Sequence, residues 1–224
     1  MKYIWLDESP ILQQVSNDFK SAAILFHPFV QMPTNWAENK KTDPFEHVYP
    51  NVEEQLQFGK PIQWDEIMKI TGLSSYKEVA ISLMTSISVF TPTFANEELA
   101  KRLNDGINKD LYYPTEDTTS VFMLENIIKL LENTGTATIK YFDPIKDTNG
   151  SIDISLITPK HLTNIAEREC LITDENNELA FLSIFDSFTT IMLYKHNDIE
   201  KLTKHNFEHI ICDHETTVNW YFQK

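Results

Sequence analysis

Residues 121–142 read VFMLENIIKLLENTGTATIKYF, and their hydrophobic period changes at Gly135. Before this glycine, Val121, Leu124 and Ile128 recur at spacings of three and four, which predicts a helix with a wide apolar face. After it, β-branched and aromatic residues alternate with polar ones through Phe142, which is typical of a strand. The stretch therefore predicts a helix that ends at Gly135 and a strand that follows directly.

The same change of period divides the rest of the chain and predicts the fold class. Residues 1–135 carry mainly helical patterns, whereas residues 136–224 carry short strand patterns separated by polar turns. Short strands joined by tight turns form antiparallel sheets. We therefore expect an α+β protein, with a mainly helical N-terminal half packed on a C-terminal antiparallel β-sheet, and a single domain over residues 1–224.

Capping residues place several of the predicted helix ends. Asp65–Thr71 predicts a short helix that ends at Gly72, and Ser75 with Glu78 forms a capping box at the start of the next helix. Glu116 and Asp117 are placed in the first turn of the helix that ends at Gly135, where acidic side chains favour the helix dipole.

Turn residues and aromatic patterns predict the ends of the C-terminal strands. Asn149-Gly150 is a hairpin-turn signal between two strand-like runs. The last run, Val218–Phe222, alternates aromatic residues, so we expect a strand with Trp220 and Phe222 facing the core.

Charge argues against two classes of binding partner. The 224 residues contain 19 basic and 33 acidic side chains, which gives a net charge of −14. Binding to a nucleic-acid backbone requires a basic face, and so does binding to anionic membrane surfaces. We therefore expect no nucleic-acid partner and no membrane partner, and an acidic surface that would suit a basic protein partner.

Cysteine usage and hydropathy favour the cytoplasm. The only cysteines, Cys170 and Cys212, are not spaced as a CxxC pair. Two free buried thiols in a reducing compartment are the favoured interpretation, although one disulfide between them is also possible. No apolar run approaches the about 20 residues of a membrane span, and the N-terminus does not have the pattern of a secretory signal.

The segment from Ala22 to Pro61 holds five prolines and many aromatic residues. Two aromatic-His-Pro clusters, around His27 and His47, recur within it. Such a segment is either functional or a packed cover over the core. The sequence identifies no catalytic residue, and the candidate pocket consists of His27 and His47 with two C-terminal carboxylates, Glu208 and Asp213.

Two short C-terminal patterns raise the question of a metal. His205-Asn206-Phe207-Glu208-His209 matches the H-x-x-E-H arrangement of a zinc protease, but the following Ile-Ile-Cys favours a strand. In a strand the two histidines lie about 13 Å apart, too far to share a metal. Cys212 and His214 could share a face and, with His209, are the candidate ligands. The sequence predicts no metal and no cofactor.

A resemblance to a known group rests on residues near both ends of the chain. These residues are Phe26-His27-Pro28-Phe29 and Trp36, and in the tail Glu208, Cys212-Asp213, Thr216 and Trp220-Tyr221. The pattern resembles an uncharacterised domain-of-unknown-function family of small acidic proteins from low-GC Gram-positive bacteria. The resemblance implies no established activity.

Two functional hypotheses follow. The first is a non-catalytic cytoplasmic acidic interaction protein that masks a basic partner, as toxin-immunity proteins do. The alternative is a small-molecule or metal-dependent enzyme that uses the His27, His47, Glu208 and Asp213 pocket. A compact pocket that gathers these side chains would favour the enzyme, and a broad acidic face would favour the binding protein.

Overall fold

The computed structural model describes residues 3–15, 18–43, 45–165, 169–204 and 207–222. Within them the α-helices, numbered in chain order, are α1 (Ile11–Gln14), α2 (Trp36–Lys40), α3 (Val52–Phe58), α4 (Trp64–Thr71), α5 (Tyr76–Ser86), α6 (Glu97–Gly106), α7 (Val121–Asn133), α8 (Pro159–Ile165) and α9 (Ile199–Thr203). Two 3₁₀ helices cover Ile154–Leu156 and Trp220–Phe222.

The strands of the described residues are β1 (Ser21–Phe26), β2 (Phe29–Gln31), β3 (Lys60–Ile62), β4 (Leu111–Tyr112), β5 (Thr138–Asp143), β6 (Thr148–Asp153), β7 (Leu171–Asp174), β8 (Leu179–Ser183), β9 (Thr189–Tyr194) and β10 (His209–Ile211). The combination of helices with a large antiparallel sheet confirms the predicted α+β class.

The chain divides into two compact units. One, here called the discontinuous unit, combines Met1–His27 with Thr115–Lys224, and the other, the inserted unit, is Pro28–Pro114. The sequence places the division between helical and strand patterns at Gly135, whereas the second segment of the discontinuous unit begins at Thr115. The single domain over residues 1–224 stays a prediction.

The discontinuous unit contains an antiparallel sheet with the strand order β10-β1-β9-β8-β7-β5-β6. Strand β1 pairs with β9 along its whole length, from Ser21 opposite Tyr194 to Phe26 opposite Thr189. All six residues of β1 are buried. A strand that is buried on both faces shows a continuous apolar run and no alternation of apolar and polar residues. The hydrophobic pattern of residues 1–135 therefore did not predict that this half supplies a strand to the sheet.

Helix α7 provides the core of this unit. Its apolar positions, including the fully buried Leu124, Ile127 and Leu131, pack with sheet residues such as Leu25 and Phe181. The wide apolar face seen in the sequence is thus the buried face of α7. The helix begins at Val121, with Ser120 as N-cap. Glu116 and Asp117 consequently precede it in a turn, and their predicted place in its first turn is wrong.

Two further local predictions differ from the structure. Asn149 and Gly150 lie within β6, opposite Phe142 and Tyr141, so the hairpin turn comes earlier, after Asp143. Trp220–Phe222 forms a 3₁₀ helix and is not the predicted strand.

The inserted unit contains a small antiparallel sheet in the order β3-β2-β4 together with helices α2 to α6. Gly72 ends α4 with a φ of 71°, which confirms its predicted role as the left-handed C-terminal residue. The Ser75 side chain accepts a hydrogen bond from the Glu78 N–H at the start of α5, which confirms the first half of the predicted capping box. The bond that returns to the Glu78 carboxylate comes from the Ser74 N–H, one residue before the predicted donor. Short-range capping rules therefore predict the helix ends of this unit well.

Two sequence expectations about thiols and membranes can be compared with the structure. Cys170 and Cys212 are both free and buried, which confirms the predicted free thiols, while the compartment stays a prediction. In the part of the chain that the structure describes, none of the helices is both long and apolar enough to cross a bilayer.

Candidate functional site

The N-terminal segment 3–6 forms one wall of a surface groove in the discontinuous unit. Tyr3 is buried, and its hydroxyl donates a 2.7 Å hydrogen bond to the carbonyl oxygen of Ser183. The ring of Trp5 meets the Tyr3 ring edge-on, with 4.9 Å between the centroids. Trp5 nevertheless stays 65% exposed. Tyr3 therefore anchors the segment at the end of β8, and Trp5 is presented at the surface.

The rest of the groove comes from the β5–β6 turn and from the residues around β7 and β8. Asp143 shapes the turn, because its Oδ1 accepts hydrogen bonds from the N–H groups of Ile145 and Lys146 at 2.9 and 3.0 Å. The cavity measures about 480 Å³ and is lined by residues 3–6 with Ile145, Glu169, Ile184 and Phe185. We call it the Trp5 groove.

Glu169 is the carboxyl group of the Trp5 groove. The residue is 6% exposed. Burial raises the pKa of its carboxyl, and the nearby Asp117, Asp143 and Asp186 raise it further, while a hydrogen bond from the Phe185 backbone opposes the rise. The groove thus combines an apolar lining with a carboxyl group whose negative charge is disfavoured, a combination that a cationic ligand would relieve.

Three more carboxyl groups lie together near this groove. Ligand oxygens of Glu116, Asp117 and Asp186 all come within 4.8 Å of one another, and the three residues are half-buried. The Asp186 N–H donates a 2.6 Å hydrogen bond to Oδ1 of Asp117, and the Asp117 N–H donates to the Ser187 carbonyl at 3.1 Å. These backbone bonds hold the three side chains, here called the carboxylate triad, next to Phe185.

Like-charge repulsion acts inside the carboxylate triad. Burial and then Asp117 and Asp186 raise the pKa of Glu116, and burial followed by Asp117 raises the pKa of Asp186. Among the described residues, no lysine, arginine or histidine forms an ion pair with the triad. Chemically, such a set of oxygens suits a lysine or arginine side chain, or a hard divalent cation of the Mg²⁺ or Ca²⁺ type.

Replacing one member of the triad is expected to stabilise the protein. Asp186→Asn removes one of the repelling charges, and asparagine tolerates the left-handed backbone, φ 49°, at this position. We expect the free energy of unfolding at pH 7 to rise by about 0.5 kcal/mol, a value kept small because solvent screens half-exposed charges. Since the Asp186 pKa is raised, the gain should shrink as the pH falls and the parent carboxyl takes up its proton.

Urea unfolding at neutral and acidic pH measures this effect, and Asp147→Asn is its matched control. Asp147 is exposed, lies outside the triad and has the same φ of 49°. The control should leave the unfolding free energy unchanged. An equal gain in both variants would assign the effect to the backbone and not to the carboxylate triad.

His27, the first predicted pocket residue, lies inside the protein. It has no exposed surface. Its Nδ1 lies 2.7 Å from the Thr115 carbonyl oxygen and its Nε2 lies 2.8 Å from the Thr190 hydroxyl. Burial lowers the pKa of the imidazole to about 4. Both ring nitrogens are therefore already occupied by neutral partners.

His47 lies in the inserted unit, exposed, between α2 and α3. The aromatic-rich segment around it is more regular than the sequence indicates, because Ala22–Pro61 contributes to β1 and β3 and contains β2, α2 and α3. The predicted alternatives for this segment, a functional site or a packed cover, both stay open.

Glu208 and Asp213 lie in the discontinuous unit, at the two ends of the β1–β10 pair. The Phe26 N–H donates to the Glu208 carbonyl at 2.9 Å, which brings the Glu208 main chain beside the end of β1 that leads to His27. Asp213 follows Cys212, whose N–H bonds Ala22 at the other end of β1. Asp213 and His27 are therefore separated by about 20 Å of strand. None of the four predicted pocket residues lines the Trp5 groove.

Asp213 closes a turn of its own. Its Oδ1 accepts hydrogen bonds from the Glu215 N–H at 2.9 Å, from the Thr216 N–H at 2.9 Å and from the Thr216 hydroxyl at 2.8 Å. The Thr216 hydroxyl bond is the main reason that the pKa of Asp213 is lowered. This geometry is an Asx turn, and it accounts for the carboxylate without a ligand.

The candidate metal ligands lie in unlike environments. His209 lies in β10, with Nε2 2.9 Å from the Thr203 hydroxyl and Nδ1 2.9 Å from the Phe207 carbonyl, while His205 and Asn206 lie outside the described residues. Burial, and then Asp213, raise the pKa of the Cys212 thiol to about 12. His214 is exposed beside Glu215. Over the described ranges, the carboxylate triad is the one group that gathers three such ligand atoms.

Sequence reasoning missed the Trp5 groove and the carboxylate triad. The groove joins residues 3–6 to Ile145, Glu169 and Phe185 across long sequence separations, and no local pattern indicates such a meeting. One signal was available for the triad, since consecutive acids at 116–117 are also typical of a turn before an N-cap such as Ser120.

Comparison with known proteins gives one family and one close relative. The chain matches the family DUF2711, described as a protein of unknown function, over residues 7–222. It is 40% identical over 223 residues to the uncharacterized protein YwbB of Bacillus subtilis (strain 168), and the match covers 99% of each chain. No solved structure matches the chain significantly. These findings confirm the resemblance to a family of unknown function from low-GC Gram-positive bacteria.

Proposed function

We propose that this chain, which belongs to the DUF2711 family of proteins of unknown function, is a non-catalytic acidic interaction protein that binds a basic polypeptide segment of a partner in the Trp5 groove. The observation that carries the proposal is the coincidence of exposed apolar side chains with carboxyl groups. Trp5, Ile145 and Phe185 are 65%, 51% and 60% exposed in one groove. The carboxyl group of Glu169 lies among them, and the carboxylate triad adjoins Phe185.

The apolar part of the groove supports a protein partner. Large apolar side chains that cluster at a surface mark interaction sites more often than scattered ones do. Tryptophan is also enriched among the residues that dominate binding energies. Tyr3 fastens the Trp5 segment through its bond to Ser183, which reduces the conformational entropy that this wall would lose on binding.

The charges specify the kind of partner. Carboxyl groups whose pKa is raised by burial and by one another gain from a cation that arrives among them. A segment with lysine or arginine next to an apolar residue satisfies both halves of the site. The net charge of −14 adds long-range attraction for such a partner. Binding would then cover a basic surface of the partner. The free thiols Cys170 and Cys212 favour the cytoplasm as the location of this protein.

The enzyme alternative has less support. It requires that His27, His47, Glu208 and Asp213 act in one pocket, yet His27 is fully buried with both nitrogens bonded and Asp213 is engaged in its own turn. A protonation change at His27 near neutral pH is disfavoured, because burial lowers its pKa to about 4.

A defined peptide tests the binding proposal. We expect a dye-labelled peptide of alternating lysine and leucine to bind the full chain in a fluorescence-polarisation titration, and to bind much less tightly when glutamate replaces lysine or glycine replaces leucine. Phe185→Ser should weaken binding by at least about tenfold, because it removes an aromatic anchor. Phe45→Ser is the matched control, since Phe45 is 89% exposed, lies in the inserted unit and does not line the groove.

The salt dependence of peptide binding tests the contribution of the carboxylate triad. The double change Glu116→Gln and Asp186→Asn should weaken binding and reduce its dependence on salt between about 0.1 M and about 1 M, over which the screening length falls from about 10 to about 3 Å. Equal affinity for the lysine and glutamate peptides, or an unchanged affinity in Phe185→Ser, would refute the proposal.

A further inference from the structure

Three buried side-chain oxygens of the inserted unit have no hydrogen-bond partner among the residues that the structure describes. Across the described residues the unpartnered buried atoms include Gln55 Oε1, Asp110 Oδ1 and Tyr112 Oη, all within this unit. Buried polar atoms are nearly always hydrogen-bonded, and leaving one unpaired costs its full desolvation. Three in one small unit therefore indicate a group that the protein alone does not supply.

The hydrogen bonds that these residues do form identify the oxygen atoms that remain without a partner. Gln55 Nε2 donates to the Pro50 carbonyl at 3.1 Å, which orients the amide and leaves its oxygen unpaired. Asp110 is 4% exposed, and its Oδ2 accepts a 2.8 Å hydrogen bond from the Asn35 N–H, which leaves Oδ1. The site thus offers two oxygens that can only accept and one hydroxyl that can also accept.

Aromatic contacts place Tyr112 beside the two segments that bond Gln55 and Asp110. The ring of Tyr112 lies 6.1 Å from that of Tyr49 and 6.0 Å from that of Trp36. Pro50, which holds the Gln55 amide, directly follows Tyr49 in the chain. Burial, followed by Asp110 and Tyr49, raises the pKa of Tyr112, so the hydroxyl lies within electrostatic reach of that carboxyl. We call Trp36, Tyr49, Gln55, Asp110 and Tyr112 the Tyr112 cluster.

The chemistry of this cluster suits one class of ligand. The Lys40 ammonium already lies over the Trp36 ring, 4.5 Å from its centroid, and pairs with Glu54. The aromatic side of the cluster is therefore compatible with an ammonium group. A primary ammonium has three N–H donors for three acceptor oxygens and a positive charge for the Asp110 carboxyl. A water molecule has only two donors, and an anion could accept a hydrogen bond only from the Tyr112 hydroxyl while it faced two oxygens that can only accept.

We propose that the Tyr112 cluster binds a primary alkylammonium group, with Asp110 Oδ1, Gln55 Oε1 and the Tyr112 hydroxyl accepting its three N–H bonds and the rings of Trp36 and Tyr49 flanking its charge. Tyr49 is 73% exposed, so the cluster reaches the surface at this ring. The inference does not depend on the Trp5 groove, because the two sites share no residue.

Titration of the full chain with n-butylammonium chloride, followed by amide NMR shifts, tests the proposal. We expect saturable shifts at residues of the cluster, weaker binding of tetramethylammonium, which has no N–H donor, and no binding of n-butanol. Asp110→Asn should weaken n-butylammonium binding by about tenfold or more, the effect of a lost charged hydrogen bond.

Tyr112→Phe should weaken binding several-fold without loss of folding, because the hydroxyl it removes has no partner within the described ranges of the chain. Tyr113→Phe is its matched control, since the Tyr113 hydroxyl is already bonded to Asn104 and should not affect binding. Lys40→Gln should leave binding unchanged or tighten it, because it removes a competing ammonium.

A parallel titration with a capped Gly-Lys-Gly peptide distinguishes a lysine side chain from a free amine as the natural ligand. Tighter binding of the peptide would assign the site to a lysine side chain, and tighter binding of n-butylammonium would assign it to a free amine; either result supports the proposal. No saturable shift with either probe, equal binding of tetramethylammonium, or unchanged binding in Asp110→Asn would overturn it and leave ordered water as the occupant.

Discussion

Acidification from about pH 7 to about pH 4 is expected to remove about 3 kcal/mol from the free energy of unfolding through His27 alone. Burial lowers the pKa of this imidazole from 6.5 to about 4, against a weaker opposing effect of the Thr115 carbonyl. Each unit of pKa difference between the folded and unfolded states corresponds to about 1.4 kcal/mol. Because His27 has no exposed surface, solvent screening reduces this value little.

The direction of the effect follows from where the proton binds. Below its ordinary pKa the unfolded imidazole takes up a proton, whereas the folded imidazole does not until the pH is near 4. Stability is therefore lost as the pH falls between about 6.5 and about 4, and the loss levels off below that range. Carboxyl groups with raised pKa values, such as Glu116 and Glu169, act in the opposite direction.

Comparison with His27→Gln isolates the contribution of His27, because all carboxyl groups are common to both proteins. Urea unfolding at several pH values should give a steeper loss of stability for the parent than for the variant. An NMR titration of the parent provides a second measurement, in which the His27 ring should not titrate above about pH 5. Parallel stability curves together with a His27 midpoint near 6.5 would contradict the prediction.

The hydrogen bonds of His27 explain why its neutral form matters to the candidate site. The Thr115 carbonyl can only accept, so Nδ1 carries the proton and Nε2 accepts from the Thr190 hydroxyl, which also meets the Thr119 hydroxyl at 2.9 Å. Thr115 immediately precedes Glu116 of the carboxylate triad. His27 therefore joins the end of β1 to the turn that positions the triad, which is a structural role for a residue of the predicted candidate pocket.

Local rules predicted the parts of the fold that depend on near neighbours. Gly72 and Ser75 lie at the helix ends expected from capping chemistry. Strand β1 was missed because burial on both faces removes the alternation by which a strand is recognised. Its place between β9 and β10 depends on pairing with residues more than 160 positions away.

The candidate site was less predictable than the fold for the same physical reason. Histidines and carboxylates carry chemistry, so the sequence directs attention to His27 and Asp213, but hydrogen bonds within the protein already satisfy both. The Trp5 groove depends on long-range packing of apolar residues that have no special spacing. Only the structure shows that Glu169 is buried among them.

The backbone conformation of residues 220–222 decides which of their aromatic side chains contacts the core. A strand over Val218–Phe222 would place Trp220 and Phe222 on one face and Tyr221 on the other. The 3₁₀ helix Trp220–Phe222 has three residues per turn, so its consecutive side chains point in three directions. Tyr221 is buried, Trp220 is half-buried and stacks on Phe26 with 5.4 Å between the centroids, and Phe222 is 38% exposed.

Tyr221→Ala is consequently expected to cost about 3 kcal/mol, the lower end of the range for losing a buried aromatic ring. Burial raises the pKa of Tyr221 to about 12, as expected for a phenol removed from water. Trp220→Ala should cost about half as much, because its ring keeps one side in solvent. Tyr221→Phe is the control that keeps the ring and removes the bond from its hydroxyl to Asn219 Oδ1 at 3.0 Å, and it should cost less than about 1 kcal/mol.

Urea unfolding of the three variants decides between the two backbone conformations. Tyr221→Ala and Trp220→Ala each remove one ring and leave the rest of the chain unchanged. The variant with the larger loss in free energy of unfolding therefore identifies the ring that contacts the core. A larger loss in Trp220→Ala than in Tyr221→Ala would indicate the inward-facing strand predicted from the alternation. We expect the larger loss of stability in Tyr221→Ala, because the buried Tyr221 ring and the stacked Trp220 ring hold residues 220–222 on the protein. A strand added to the sheet would give the opposite order.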